Sequence, residues 1–234
     1  MDTLFIANRG EIAIRIARAA AEAGLRSVAA YSEDDAASLH VTSADAAAAL
    51  PGRGPRAYLD IDAVVAAAKG SGAWGVHPGY GFLSENAAFA EAVEAAGMVF
   101  VGPSADALRR FGDKVLARQL AQSCQVPVPL GAGPVDAASA RAFFDALPAG
   151  QAMLIKAVSG GGGRGMRVVR RADEIEDALA RAASEAKSAF GDAAVYVEEY
   201  LPGARHVEVQ VIGDGTAVSH LWERECSLQR RHQK

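Results

Sequence analysis

Cysteine is scarce in this 234-residue chain, with only Cys124 and Cys226 present, far apart and outside any metal-ligand spacing. That excludes a disulfide-stapled scaffold and a zinc ribbon. It fits a reduced, cytosolic setting, with both thiols expected as small core residues. Long hydrophobic runs are absent too, so nothing is long enough to span a bilayer. Met1-Asp2-Thr3 lacks the basic start and apolar run of a signal peptide. The expectation is a cytoplasmic chain with no membrane partner. An excess of positive charge is also missing: 24 Lys and Arg stand against 28 Asp and Glu, for a net charge of −4. Such a balance gives no general reason to expect nucleic acid as a partner. With 50% hydrophobic and 22% charged residues, the composition is that of a globular protein, not a disordered one. The length allows one large domain or two ordinary ones, and no internal repeat is evident.

Read in order, the chain alternates. Leu4-Phe-Ile-Ala7 is a short apolar strand, and Ile12 to Ala23 carries apolar residues at helical spacing until Gly24 stops the helix. Strands are expected at 27–31, 75–77 and 99–101, with helices over 60–69 and 86–96. The tract from Ala46 to Leu50 is ambiguous. Strands separated by helices of this length imply a parallel sheet covered on both faces. Asn8-Arg9-Gly10 has one glycine where the dinucleotide fingerprint needs three, so NAD binding is rejected. From Ser104 to Ser123 the chain is mostly helical, interrupted at Gly112-Asp113-Lys114, where Asp113 can cap the following helix. Val126-Pro-Val-Pro129 reads as extended linker, because each proline turns its predecessor away from helix. Helices over 138–147 and 173–190 and a strand over 195–199 follow. His206 to Ile212 alternates, so His206, Glu208 and Gln210 share one face and the valines are expected to face a core. Asp214-Gly215 supplies a hairpin turn.

The most informative stretch is Lys156-Ala-Val-Ser-Gly-Gly-Gly-Gly-Arg-Gly-Met166. Apolar runs on both sides read as the two strands of a hairpin whose turn is glycine. Without Cβ atoms, the backbone N–H groups of Gly160 to Gly163 can converge on an anion. Lys156 and Arg164 flank them with fixed positive charge, as a polyphosphate requires. No Lys-Ser or Lys-Thr follows, so this is not the G-x-x-x-x-G-K-[ST] phosphate loop. A flexible flap over a nucleotide and a plain glycine-rich linker are the two readings; the strand-like flanks and the lysine at a strand end favour the flap.

Six stretches in series then resemble biotin carboxylase, the ATP-grasp ligase component of biotin-dependent carboxylases. They are Ile6-Ala-Asn-Arg-Gly-Glu-Ile12, His77-Pro-Gly-Tyr-Gly-Phe-Leu-Ser-Glu-Asn86, Gly112-Asp-Lys114, the Lys156 hairpin, Arg205-His-Val-Glu-Val-Gln210 and Cys226-Ser-Leu-Gln-Arg-Arg-His-Gln-Lys234. The resemblance implies an α/β fold with a Rossmann-like N-terminal domain over 1–102 and a helical linker over 103–129. An ATP-grasp lid over 130–202 and the truncated start of the C-terminal grasp subdomain over 203–234 would follow. It covers the N-terminal half of the family only.

In the family, ATP phosphorylates bicarbonate to carboxyphosphate, which releases CO2 to a biotin nitrogen on a carrier protein. By resemblance, Lys114 and Lys156 hold ATP phosphates, and Gly161, Gly162 and Gly163 belong to the flap. Glu198 and Leu201 match the adenine-binding segment. His206 and Gln229 match positions near nucleotide and biotin, His232 one near the phosphates, and Lys234 the bicarbonate lysine. Tyr80 falls beside biotin. Asn8, Arg9 and Glu11 look structural, with a possible dimer contact. The cofactors implied are ATP, Mg2+ and carrier-bound biotin, with bicarbonate as substrate; the partners are a biotin carboxyl carrier, a carboxyltransferase and a second copy in a homodimer. The Mg2+ ligands, the bicarbonate-facing arginines and the glutamate base all lie beyond Lys234, so no metal ligand is assigned here. Two other readings stand beside this one: another ATP-grasp ligase such as a carbamoyl-phosphate synthetase, or a non-catalytic ATP-binding or subunit-association module. On residue chemistry alone, His206 and His232 read first as surface or hydrogen-bonded histidines and the Arg230 to Lys234 tail first as a solvated basic cluster, while Tyr80 reads as readily as a packed aromatic.

Overall fold

The computed structural model describes residues 1–158 and 166–228. It divides into two compact units, Met1–Gly112 and Asp113–Lys234.

The first unit is built on five parallel strands: β1 Thr3–Ile6, β2 Arg26–Tyr31, β3 Ala46–Ala49, β4 Gly75–His77 and β5 Val99–Phe100, in the order β3-β2-β1-β4-β5. Both faces are covered, and the alternation along β1 explains how. Leu4 and Ile6 pack against Ala13, Ile16, Ala17 and Ala20 of helix α1 (Gly10–Glu22). Phe5 and Ala7 point the other way, into a cluster with Val64 of α3 (Ile61–Gly70) and Phe89 and Val93 of α4 (Ala87–Ala95). Burial of each large apolar side chain of this kind contributes about 1.5–3 kcal/mol. Asp60 and Asn86 start α3 and α4 by accepting the amides of Ala63 and Phe89. Helices α2 (Leu39–Ser43) and α5 (Ala105–Gly112) complete the unit. The ambiguous alanine tract is a strand, pairing parallel with β2 from Val28↔Ala46 to Tyr31↔Ala49. Alanine's weak strand propensity is overridden there by the free edge of β2.

The second unit has α6 (Lys114–Ser123), then a four-stranded antiparallel sheet in the order β6-β9-β7-β8, with β6 Gly131–Ala132, β7 Met153–Ala157, β8 Arg167–Val169 and β9 Val195–Glu199. One face of this sheet, carrying Met153, Ile155, Val169, Val195 and Val197, packs on Ala140 of α7 (Ala137–Ala146) and on Ile175, Leu179 and Ala182 of α8 (Ile175–Phe190). The flanks of the glycine stretch pair as a hairpin, Met153↔Val169 to Ile155↔Arg167. Its turn, including Gly161, Gly162 and Gly163, lies outside the described residues.

Strands β10 (Val207–Gly213) and β11 (Val218–Glu225) form a separate two-stranded sheet. Here one expectation fails. Val207, Val209 and Val211 are 48%, 53% and 57% exposed instead of facing a core. A two-stranded ribbon has two open faces, and among the described residues it gains no third strand. The pairing also slips between Val209 and Val211, where Leu221 and Trp222 stand opposite Gln210 alone and Trp222 adopts a φ of 63°. Alternation is interrupted by that bulge. The cysteine expectation fails as well: Cys124 caps the C-terminus of α6 and is exposed, and Cys226 is half-buried. Helix α6 has no fully buried residue, so its end offers no core for a thiol.

Candidate functional site

The side of the second sheet turned away from α7 and α8 carries the polar chemistry. Because Met153, Ile155 and Ala157 enter the core, Leu154 and Lys156 must project from the opposite face of β7. On β9 the same logic sends Val195 and Val197 inward and leaves Tyr196 and Glu198 beside them, with Lys156↔Tyr196 and Leu154↔Glu198 in register. The Lys156 ammonium makes a close ion pair with Glu198 Oε1. The Tyr196 hydroxyl donates to the other oxygen, Oε2, at 3.2 Å. The pair is largely withdrawn from water, at 24% exposure for the Lys156 side chain and 13% for Glu198. Burial, and secondarily the Glu198 charge, pushes the Tyr196 hydroxyl far above the usual phenol range, so it stays a donor.

Lys114 comes to the same end of β7. Asp113 accepts the amides of Val115 and Leu116 at 2.8 and 3.0 Å, which fixes the first turn of α6. From that turn Lys114 Nζ donates to the carbonyl of Val158 at 3.3 Å, two residues beyond Lys156. Lys114 thus touches the backbone two residues beyond Lys156, where β7 leads into the glycine stretch, and Lys156 itself is paired with Glu198. A cavity of about 180 Å³ lies between α6 and β6, lined by Arg118, Gln119, Gln122 and Tyr196 among others.

The remaining candidates are dispersed. Leu201 follows β9 and is 51% exposed. Glu199 Oε1 accepts the Leu130 amide at 2.9 Å, a bond that pins the chain entering β6. His206 precedes β10; its amide donates to Ser227 Oγ at 2.7 Å, and its ring Nε2 lies 3.2 Å from Glu208 Oε1. Glu208 also accepts from Arg224 at 2.8 Å. Gln229, His232 and Lys234 lie outside the described residues. Among the described residues no group of three or more His, Cys, Asp or Glu side chains could hold a metal ion.

Tyr80 belongs to the first unit, in the turn that follows β4. It is 61% exposed and donates a close hydrogen bond to Glu11 Oε1, which pushes its hydroxyl upward. The turn is held from beneath by Asn8, which is 2% exposed and donates to the carbonyls of Pro78 and Tyr80 at 2.7 and 2.9 Å. Gly79, at φ +66°, passes directly over it: a Cβ there would stand 2.6 Å from Asn8 Nδ2. Arg9 is tied to Asp35 through Nε and Nη2 at 2.6 and 2.5 Å, and Asp35 also accepts from Tyr58 at 2.9 Å and Ser38 at 3.0 Å. The Arg9 hydrogen bond above all holds the Asp35 carboxyl well below the usual carboxylate range. Asn8 and Arg9 are therefore built into the fold.

Sequence reasoning passed over Tyr196. A signal was available: it stands two residues before Glu198 on a strand, hence on the same face.

Comparison with known proteins gives these features a common setting. Residues 1–108 match the family model described as biotin carboxylase, N-terminal domain, and residues 113–234 match the carbamoyl-phosphate synthase L chain, ATP binding domain. A biotin carboxylase of Haemophilus influenzae is 50% identical over 238 residues, covering 100% of this chain and 53% of the relative. A pyruvate carboxylase of Aspergillus niger is 52% identical over 99% of this chain and 20% of its own length. Among solved structures, a Campylobacter jejuni biotin carboxylase complex superposes with a TM-score of 0.95 at 43% identity, covering 100% of this chain and 53% of that one. The biotin carboxylase domain of Hydrogenobacter thermophilus 2-oxoglutarate carboxylase, solved with MgADP, ADP and bicarbonate, gives 0.93 at 38% identity, over 100% and 52%. The chain thus spans about half the length of the biotin carboxylase relatives it matches. With both family models in sequence, whole-chain identity near one half and a shared fold, the chain belongs to the biotin carboxylase family.

Proposed function

We propose that this chain is the nucleotide-gripping portion of a biotin carboxylase, acting in the ATP- and bicarbonate-dependent carboxylation of carrier-bound biotin. The observation that carries the reading is that Lys156 projects from β7 while Lys114 Nζ donates to the Val158 carbonyl two residues further on, where the strand leads into the glycine stretch. A triphosphate needs neutralising charge and little covalent help from the protein, and two lysines on rigid elements fit that need. ATP, with Mg2+, supplies the phosphoryl group that activates bicarbonate. The chain's own residues bind and orient: Lys114 and Lys156 on the phosphates, Glu198 and Leu201 at the adenine, His206 at the nucleotide's rim. The lid role is assigned to residues 130–202, with Gly161, Gly162 and Gly163 as its phosphate-binding residues, and a lid of this kind serves to exclude water. By the family resemblance, Gln229, His232, Lys234 and Tyr80 are assigned to bicarbonate and biotin. A biotin carboxyl carrier, a carboxyltransferase and a second copy of the chain are the partners of this reading.

The test begins with calorimetric titration of MgADP into the full chain. Binding is expected, and Lys156→Met should weaken it at least tenfold, the loss of one charge-assisted contact of about 1.5–3 kcal/mol. Phosphate release from ATP is then followed with bicarbonate and free biotin. Binding without any turnover would instead make the chain an ATP-binding module. Because residues 113–234 match a domain model named for carbamoyl-phosphate synthase, ammonia is tried as acceptor in parallel. Turnover with ammonia and none with biotin would replace the carboxylase reading.

A further inference from the structure

Several helix arginines of this chain are answered on their own helix: Arg110 by Asp106, Arg141 by Asp145 and Arg181 by Asp177, each four residues away. Arg118 of α6 is not. Lys114 and Gln122 hold the positions four residues to either side, and Val115 and Ala121 those three away, so the helix offers it no carboxylate. Among the described residues its guanidinium has neither an ion-pair nor a hydrogen-bond partner. Arg118 is nonetheless half-buried, because its guanidinium lies against the backbone of Gly131 in β6. A Cβ on Gly131 would stand 3.2 Å from Arg118 Cζ and 3.3 Å from Nη1. The cavity of about 180 Å³ between α6 and β6 opens beside this contact. One wall comes from Arg118, Gln119 and Gln122, neighbours on one stripe of the helix, and the other from the β6 backbone and Tyr196. Among the described residues that line it, none is acidic. Glu198, two residues beyond Tyr196 on β9, is already engaged by Lys156 and by the Tyr196 hydroxyl.

We propose that this cavity binds a small oxyanion, a carboxylate or phosphate group, with the Arg118 guanidinium as its bidentate donor and the Gln119 and Gln122 amides as donors at its mouth. A guanidinium presents its N–H groups in a fixed fork that matches either anion. A half-buried cation with no counter-charge is costly, and an anion in the cavity supplies what the helix does not. Lys114, one turn earlier on the same side of α6, adds to the positive potential there. The site is distinct from that of Lys156, since β9 lies between β6 and β7 in the sheet, and the inference does not depend on the nucleotide reading. An anion held there would bridge the helix that carries Lys114 to the sheet that carries Lys156.

The test is an NMR titration of the isotope-labelled full chain with malonate and, separately, with inorganic phosphate, at an ionic strength held constant with sodium chloride. Saturable shifts are expected at the Gly131 and Ala132 amides and at the side-chain amides of Gln119 and Gln122, with a midpoint on the order of 1 mM for so few contacts. A response to malonate alone marks a carboxylate site and a response to phosphate alone a phosphate site; either supports the proposal. Arg118→Met should weaken the binding at least about tenfold, the loss of a charge-assisted contact, while Lys156→Met leaves it within about twofold. Should Arg118→Met fail to give a folded spectrum, Arg118→Lys, which keeps the charge without the fork, should still weaken the binding about threefold. Shifts that are absent or do not saturate with both anions overturn the proposal, as do shifts that neither Arg118 substitution changes. Shifts that vanish with Lys156→Met overturn it too, because the anion would then lie at Lys156 and not in this cavity.

Discussion

Gly79→Ala separates two contributions that the structure puts on one atom. The backbone there has φ +66°, and a left-handed conformation costs an L-residue about 1–2 kcal/mol. The new Cβ would also stand 2.6 Å from Asn8 Nδ2, 3.0 Å from Asn8 Cγ and 3.2 Å from Asn8 Cβ. Asn8 is 2% exposed and has no room to retreat, so its bonds to Pro78 O and Tyr80 O are lost or stretched. At about 1 kcal/mol for each hydrogen bond, the expected total is about 3–4 kcal/mol. That is a large share of the 5–15 kcal/mol that usually holds a domain. Urea unfolding would measure it, followed by tryptophan fluorescence in a Trp222→Phe background, which leaves Trp74 of the first unit as reporter. Asn8→Ala removes the contacts at 2.6 and 3.0 Å and leaves only its own Cβ at 3.2 Å, so Gly79→Ala added to it should cost little more than the backbone term of about 1–2 kcal/mol. A Gly79→Ala protein within about 0.5 kcal/mol of wild type, or strict additivity in the cycle, would refute the steric account.

Two further perturbations follow from the same kind of reasoning. Asp35 has a folded pKa depressed chiefly by Arg9, so the folded state binds fewer protons than the unfolded state just below the ordinary carboxylate range. Stability from this group is therefore full above about pH 4 and lost as pH falls below it; Asp35→Asn should cost about 2 kcal/mol at neutral pH and flatten the acid limb of a pH-dependent melting series. Asp113→Ala removes the cap that accepts two amides of α6, with an expected loss of about 1 kcal/mol in urea and a weaker grip on MgADP, since Lys114 sits in that first turn.

The alternation that made the first unit legible is a one-dimensional signal with a three-dimensional cause: Leu4 and Ile6 meet one layer of helices, Phe5 and Ala7 the other. Capping was equally plain, because Asp113 and Gly24 act within a few residues of where they stand. Ala46–Ala49 stayed ambiguous because what makes it a strand is the edge of β2, eighteen residues away in register from Val28. The valines of β10 show the converse. A period of two says that a segment is extended and that its faces differ, but which face is covered depends on a neighbour the segment does not encode. The site shows the same division. Lys156 could be named from charge at a strand end and Lys114 from the family resemblance, whereas the place of Tyr196 depends on register: only when β9 lies beside β7 with Lys156 opposite Tyr196 does Glu198 come within reach of both. The two glycines of the β6 segment are informative for that reason. Gly131 and Gly133 carry no turn in the sequence pattern, yet each stands where a side chain would force β6 off β9 and lift the cover from the tyrosine that steadies the carboxylate.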